Sequence, residues 1–204
     1  GKYELHEVQS CDGYILNKEP VPFQVDGEQE KVVVEISNQP QKGIIKVNKS
    51  GEIFTSVVEN NGFYQPVYQV GGLKGTEFQI TSYEDNYAPD GTLRYKKGQV
   101  VGMLITDETG AASSQPLYLG KFLVTETKAS DGMVLDSTPK LVELTYAGQD
   151  VEITETTLEL SNDRKKAEID LSKILETDKN FSLGINGEIK KIVFGLYADA
   201  DITA

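Results

Sequence analysis

Three residues stand out for the chemistry their types could perform together: Lys49, Glu126 and Asn162. An amine can attack a carboxamide and expel ammonia, leaving a new amide, while a carboxyl group beside both carries the protons. In water this exchange is sluggish. In an apolar site, desolvation disfavours the charged forms, so the amine becomes a neutral nucleophile and the carboxyl a proton donor that can polarise the amide carbonyl. Fixed geometry then replaces encounter, and no second protein is needed.

The elements that carry these residues must bring them together. Along a strand, residues i, i+2 and i+4 share a face. Ile45, Val47 and Lys49 form one such series, Phe122, Val124 and Glu126 a second, and Leu158, Leu160 and Asn162 a third. Each begins with two apolar residues and ends in a polar one. If the apolar residues face the core, so do Lys49, Glu126 and Asn162, and three core-facing polar groups are costly unless they meet. The same alternation turns Lys46 outward, which leaves it the second choice of nucleophile. The competing reading puts all three polar residues at exposed strand ends, because a slip of one residue exchanges the faces.

The wider sequence supports strands. Val, Ile, Thr and Tyr recur in short runs broken by Gly, Asn and Asp. Strands are predicted at 44–49, 67–70, 77–82, 100–106, 121–127, 140–146 and 157–161, separated by the turn residues of 60–62, 89–91, 108–110 and 147–150. Residues 170–178 alternate in a way that suits a strand better than a helical turn. The aromatic run 63–68 reads as core and edge packing.

Self-similarity organises the chain. Gly1-Lys2-Tyr3-Glu4-Leu5-His6-Glu7 matches Gly120-Lys121-Phe122-Leu123-Val124-Thr125-Glu126, and Pro20 matches Pro139, at an offset of 119. Val34-Glu35-Ile36-Ser37-Asn38 matches Leu158-Glu159-Leu160-Ser161-Asn162, and Ile45–Lys49 matches Ile169–Lys173, at an offset of 124. The segment 75–80 resembles 192–197. The expected organisation is therefore the C-terminal part of one module at 1–42, a complete module at 43–162, and the N-terminal part of another at 163–204. Short polar linkers imply a semi-rigid rod. Both chain ends fall beside strand patterns, so a segment of a longer protein is expected.

Composition removes several classes of function. A net charge of −12 repels nucleic acid and anionic membrane, so neither is expected as a partner. No apolar run is long enough to span a bilayer. Cys11 is the only cysteine and His6 the only histidine. That leaves no disulfide, no cysteine-based metal site and little material for a hydrolytic triad. His6 reads as an outward residue. Asp85, Asp90, Asp107 and Glu108 read as turn chemistry rather than a calcium site. No cofactor, no metal and no turnover enzyme are expected.

The pattern from Gly120 to Glu126, the Asp131-Gly132 that follows, and strands ending in Asn162 and Lys49 resemble the Cna B-type (SpaA-like, prealbumin-like) domains of Gram-positive adhesins and pili. Residues 72–78, 116–122 and 194–198 resemble further phrases of that family. The resemblance implies an all-β fold of tandem immunoglobulin-like, reversed-topology sandwich modules. It also implies an intramolecular Lys–Asn isopeptide bond, for which Lys49 and Asn162 match the linked pair and Glu126 the catalytic proton shuttle. Glu7 and Asn38 match a preceding module whose lysine lies elsewhere, and Lys173 matches the lysine of a following one. The implied role is a structural stalk module of a cell-wall-anchored adhesin or pilin, extracellular, with neighbouring modules as partners. The alternative is an adhesin module that binds a host matrix protein or glycan. Two departures are visible: the Ala-Pro-x-Gly-Tyr common after the family's glutamate is Ala129-Ser130-Asp131-Gly132-Met133 here, and the segment 52–72 is long.

Overall fold

Apolar–polar alternation is realised as strand through most of residues 42–162 in a computed structural model, which describes residues 1–27, 31–182 and 184–200. The strands are β1 (Lys2–Leu5), β2 (Val21–Gln24), β3 (Lys42–Asn60), β4 (Phe63–Gly72), β5 (Glu77–Ser82), β6 (Asn86–Tyr87), β7 (Leu93–Tyr95), β8 (Val100–Ile105), β9 (Ala111–Ser113), β10 (Leu117–Tyr118), β11 (Gly120–Lys128), β12 (Lys140–Leu144) and β13 (Ile153–Asn162). The chain divides into one unit of Gly1–Ile53 with Gln69–Arg164 and another of Phe54–Tyr68 with Lys165–Ala204.

In the first unit, β12, β11, β5 and β8 form an antiparallel sheet in that order. The other main sheet is built on β3, which pairs antiparallel with β10 and β9 and parallel with β13 from Lys42↔Ile153 to Gly51↔Asn162. Ile45 and Val47 of β3 and Leu117 of β10 pack with Phe78, Ile80, Leu104, Phe122, Val124, Val142 and Leu144 from the four-stranded sheet. Such burial stabilises by roughly 1.5–3 kcal/mol for each large side chain. This is a sandwich whose first and last strands are neighbours.

The offsets seen in the sequence recur in the hydrogen bonding. Tyr3 pairs with Phe23 across β1–β2 as Phe122 pairs with Val142 across β11–β12. The bridge Tyr14↔Pro40 has its counterpart in Met133↔Arg164. Ile15 N donates to Gln39 O at 2.9 Å, and Val134 N to Asp163 O at 2.8 Å. Between residues 1–40 and the sandwich, the wholly buried Gln41 donates to Gly148 O and Val151 O and accepts from Ala147 N.

Several local expectations change. The strand predicted at 44–49 runs on to Asn60 and turns back at Asn61-Gly62, both at positive φ, as a tight hairpin requires. At its tip Phe63 and Tyr64 are 75% and 72% exposed, so the aromatic run is not core packing. Phe54 and Tyr68 meet edge to face within the same unit. Among the described residues, 170–177 pair with no strand and Asp178 carries only an isolated bridge, and a 3-10 turn lies at Glu188–Lys191. His6 follows β1, exposed, within 3.3 Å of Glu4.

Candidate functional site

Lys49 is fixed by its backbone before its side chain matters. Its N–H donates to Gly110 O at 2.7 Å, and its carbonyl accepts from Leu73 N at 2.9 Å. Gly110 sits at φ +81, and a Cβ there would lie 2.1 Å from Lys49 O, so this position suits only glycine. The turn that carries Gly110 is held by Asp107, which accepts from Thr109 N, Thr109 Oγ1 and Ala111 N. Those bonds, the threonine hydroxyl first, hold the Asp107 carboxyl below its ordinary range. The acidic residues near turns are thus accounted for by backbone capping and ion pairing: Asp85 accepts from Lys97 N, Asp90 from Thr92 N, and Glu108 pairs with Lys74.

Glu126 lies on β11 opposite Phe78 of β5, just before a register shift. Asn162 ends β13 beside Gly51 of β3. Alternation turns all three side chains inward, as the apolar residues before them require. Lys49, Glu126 and Asn162 are 2%, 3% and 6% exposed.

Glu126 stands between the other two. Lys49 Nζ lies 2.7 Å from Oε2, and Asn162 Nδ2 donates to Oε1 at 2.6 Å. The lysine meets Oε2 off the direction of a good hydrogen bond, and Asn162 Oδ1 is buried with no hydrogen-bond partner among the described residues. The Phe78 ring closes the site, its centroid 5.8 Å from Nζ. One carboxyl group therefore touches both the amine and the nitrogen that would leave as ammonia. The expectation that Glu126 polarises the amide carbonyl is not met, since the carboxyl faces Nδ2 and not Oδ1. Lys46, the second choice, is on the outer face and pairs with Glu155.

The profile of the SpaA prealbumin-like fold domain matches residues 1–40 and 67–158. The chain belongs to that family. Among solved structures, this SpaA-like chain is similar to the Bacillus anthracis TIE protein, with a TM-score of 0.50 and 24% identity over 80% of this chain and 25% of that one. It also matches BcpA, the major pilin subunit of Bacillus cereus (TM-score 0.36, 23% identity, 61% of this chain and 29% of that one). The major pilin SpaD of Corynebacterium diphtheriae matches with a TM-score of 0.38 and 20% identity, over 61% of this chain and 32% of that one. The SpaA-like chain thus spans about a quarter to a third of the length of these proteins. No curated protein matches it.

A second, smaller constellation lies in residues 1–40 of the SpaA-like chain. Asn38 Nδ2 donates to Glu7 Oε1 at 2.8 Å and Oε2 at 2.7 Å, and lies near Ser10 Oγ and Ile15 O. Asn17 N also donates to Glu7 Oε2. Among the described residues no cation is within ion-pair distance of Glu7. Lys173 belongs to the other unit and is exposed. The clamp of Gly110 and Leu73 on Lys49, and the Phe78 ring, were not singled out from sequence. The turn residues 108–110 signalled a positive-φ glycine but not what it approaches.

Proposed function

We propose that this chain is a structural stalk segment of a Gram-positive cell-wall-anchored adhesin or pilin, whose module at 43–162 is locked by an isopeptide bond between Lys49 and Asn162. The observation that carries this reading is the buried carboxyl of Glu126 in contact with both Lys49 Nζ and Asn162 Nδ2. Glu126 takes a proton from Nζ through Oε2, and the neutral amine attacks Asn162 Cγ. The carboxyl passes that proton to Nδ2 through Oε1 and takes the second proton that Nζ must lose; the Cγ–Nδ2 bond breaks, and the ammonia leaves with that second proton as ammonium. The carboxyl ends as it began, and the lysine and asparagine are consumed. This is one self-directed turnover, not enzymatic activity on a substrate.

Buried ion pairs gain little net stability, because desolvation offsets attraction. A neutral amide in the same place removes that cost, which makes the arrangement sensible as a precursor. Intact-mass spectrometry of the purified chain tests it. A deficit of one ammonia, with a fragment joining Lys49 to Asn162, is expected. A mass equal to that of the sequence refutes it.

The exposed aromatic tip of the β3–β4 hairpin favours a second reading, a ligand-binding adhesin module. Binding to matrix proteins or glycans that Phe63→Ala and Tyr64→Ala abolish would support it.

A further inference from the structure

Leu73, whose N–H holds the Lys49 carbonyl, is itself held through its own carbonyl. Thr106 Oγ1 donates to Leu73 O at 2.6 Å and accepts from Thr76 N at 3.0 Å. Thr76 Oγ1 lies 2.6 Å from Ser130 Oγ, which donates to Lys74 O at 2.7 Å. A hydroxyl carries one proton, so with that of Ser130 committed to Lys74, Thr76 must donate to Ser130. Gly75 N donates to Thr106 O and Thr106 N to Thr76 O, tying the same residues through the backbone. Thr76, Thr106 and Ser130 are 0%, 3% and 9% exposed, and each of the three hydroxyls is bonded.

Thr76 precedes β5, Thr106 follows β8, and Ser130 lies just beyond β11. The hydroxyls therefore gather one end of the four-stranded sheet and join it, through Leu73, to Lys49 in the other main sheet. Phe78, which closes the site, and Glu126 stand on the same β5 and β11. The lysine's strand and the carboxyl's strand are thus connected without either reacting group. Stability alone does not call for this, since replacing both partners of a buried hydrogen bond by apolar groups of the same shape is close to neutral. What a fully satisfied polar network adds is one fixed arrangement. Ser130 stands at the proline of the Ala-Pro-x-Gly-Tyr phrase, where no hydroxyl exists, and its counterpart in residues 1–40, Cys11, is exposed.

We propose that Thr76, Thr106 and Ser130 are positioning residues for formation of the Lys49–Asn162 bond: their hydroxyl chain fixes Leu73 on Lys49 O, and so fixes where the lysine side chain starts its reach to Glu126 Oε2. This rests on the Lys–Asn reading given for Lys49 and Asn162. A flexible four-carbon stem can meet a carboxyl in many ways, and anchoring its backbone at both N–H and carbonyl restricts them. Misplacing a reacting atom by 1 Å can slow a reaction about 100-fold. The three hydroxyl protons are engaged within the network, so these residues carry none of the reaction's protons and act through geometry.

The test follows the ammonia deficit by intact mass in full-length chains recovered in urea and refolded by dilution, once circular dichroism shows folding complete. Ser130→Ala and Thr76→Val should each lower the first-order rate constant about 10–100-fold. Thr76→Ser, which keeps the hydroxyl, should restore most of the rate. In the Asn162→Ala background, where the bond cannot form, Thr76→Val should make the Leu73 amide exchange with deuterium about tenfold faster as its surroundings open locally, and leave Ile80 unmoved. An unchanged rate in the folded variants, or unchanged exchange at Leu73, overturns the proposal. So does Thr76→Ser as slow as Thr76→Val, or equal slowing by Leu144→Ala, which perturbs the core beside the start of β11, with urea adjusted to match stability. Should Thr76→Val not fold, Ser130→Ala decides on the same terms. If the unaltered chain shows no deficit, the Lys–Asn reading has failed, and exchange decides the clamp alone: faster exchange at Leu73 supports it and unchanged exchange overturns it.

Discussion

Asn162→Ala separates the proposed bond from the interactions that precede it. The substitution keeps the Lys49–Glu126 pair at 2.7 Å and removes the amide that would be attacked. Without any covalent bond, the loss is one hydrogen bond to a charged group, about 1.5–3 kcal/mol, partly offset because the buried, unpartnered Oδ1 goes too. With the bond, the variant also loses a covalent constraint between residues 49 and 162. On the chain-entropy account of cross-links, a loop of about 100 residues contributes about 4–5 kcal/mol. At roughly 2–4 °C per kcal/mol for a chain of this size, the bond alone is then worth roughly 8–20 °C in Tm. Thermal unfolding followed by circular dichroism, with and without reductant, measures it, and intact mass assigns the covalent state. Reductant should change nothing, since an amide is not reducible. A drop in Tm no larger than the hydrogen bond explains, with the unaltered chain at full sequence mass, refutes the reasoning.

Four further outcomes are expected. Glu126→Gln should hold the chain at full sequence mass, and should leave the Lys49 ammonium without its counter-charge at a cost of about 3–5 kcal/mol in urea unfolding. Gly110→Ala forces a side chain into positive φ and against Lys49 O; it should destabilise by about 1–3 kcal/mol and slow formation of the mass-deficient species in a time course after refolding. The Asp136 carboxyl, held down to about 2 chiefly by the side-chain and backbone hydrogen bonds of Thr138, should titrate there by NMR, and Thr138→Ala should raise its midpoint. Because that pKa is depressed on folding, its contribution to stability is complete above the unfolded value and lost as pH falls towards 2. Pulled from its ends by force spectroscopy, the locked module should release no length, whereas Asn162→Ala should release about 110 residues at about 3.3–3.6 Å each, roughly 360–400 Å.

Much of the site was legible because strand periodicity converts sequence position into direction. Two apolar residues at i and i+2 commit the residue at i+4 to the same face, and this put Lys49, Glu126 and Asn162 inward. Periodicity carries no information on which strands are neighbours, so the parallel pairing of β3 with β13 had to come from the structure. It is equally silent on the rotation of an amide about its last torsion, which is why the carboxyl was expected at Oδ1 and found at Nδ2. The failure at 170–178 has another cause. Ile169, Leu171 and Lys173 alternate as a strand should, but a strand needs a partner to bond with, and among the described residues no strand pairs with those three. The same alternation in β3 succeeds because β13, β9 and β10 flank it.

The position of the proposed bond bears on load more than on melting. In a rod, tension enters the module at Lys42 and leaves after Asn162. Those residues belong to adjacent parallel strands, so end-to-end tension shears β3 against β13 along their shared ladder. Hydrogen bonds loaded in shear share the force until one end yields, after which the rest fail in turn. A covalent link at Lys49 and Asn162 removes that sequence. Force would pass along the first few residues of β3, cross the amide, and leave at the end of β13 without entering residues 50–161. The remaining strands and the core they enclose would carry no tension. The same link placed between β5 and β11 could stabilise the fold as much by the loop-entropy argument, yet would leave the load path open. Joining the first strand to the last is therefore what a tension-bearing role requires and what thermal stability alone does not.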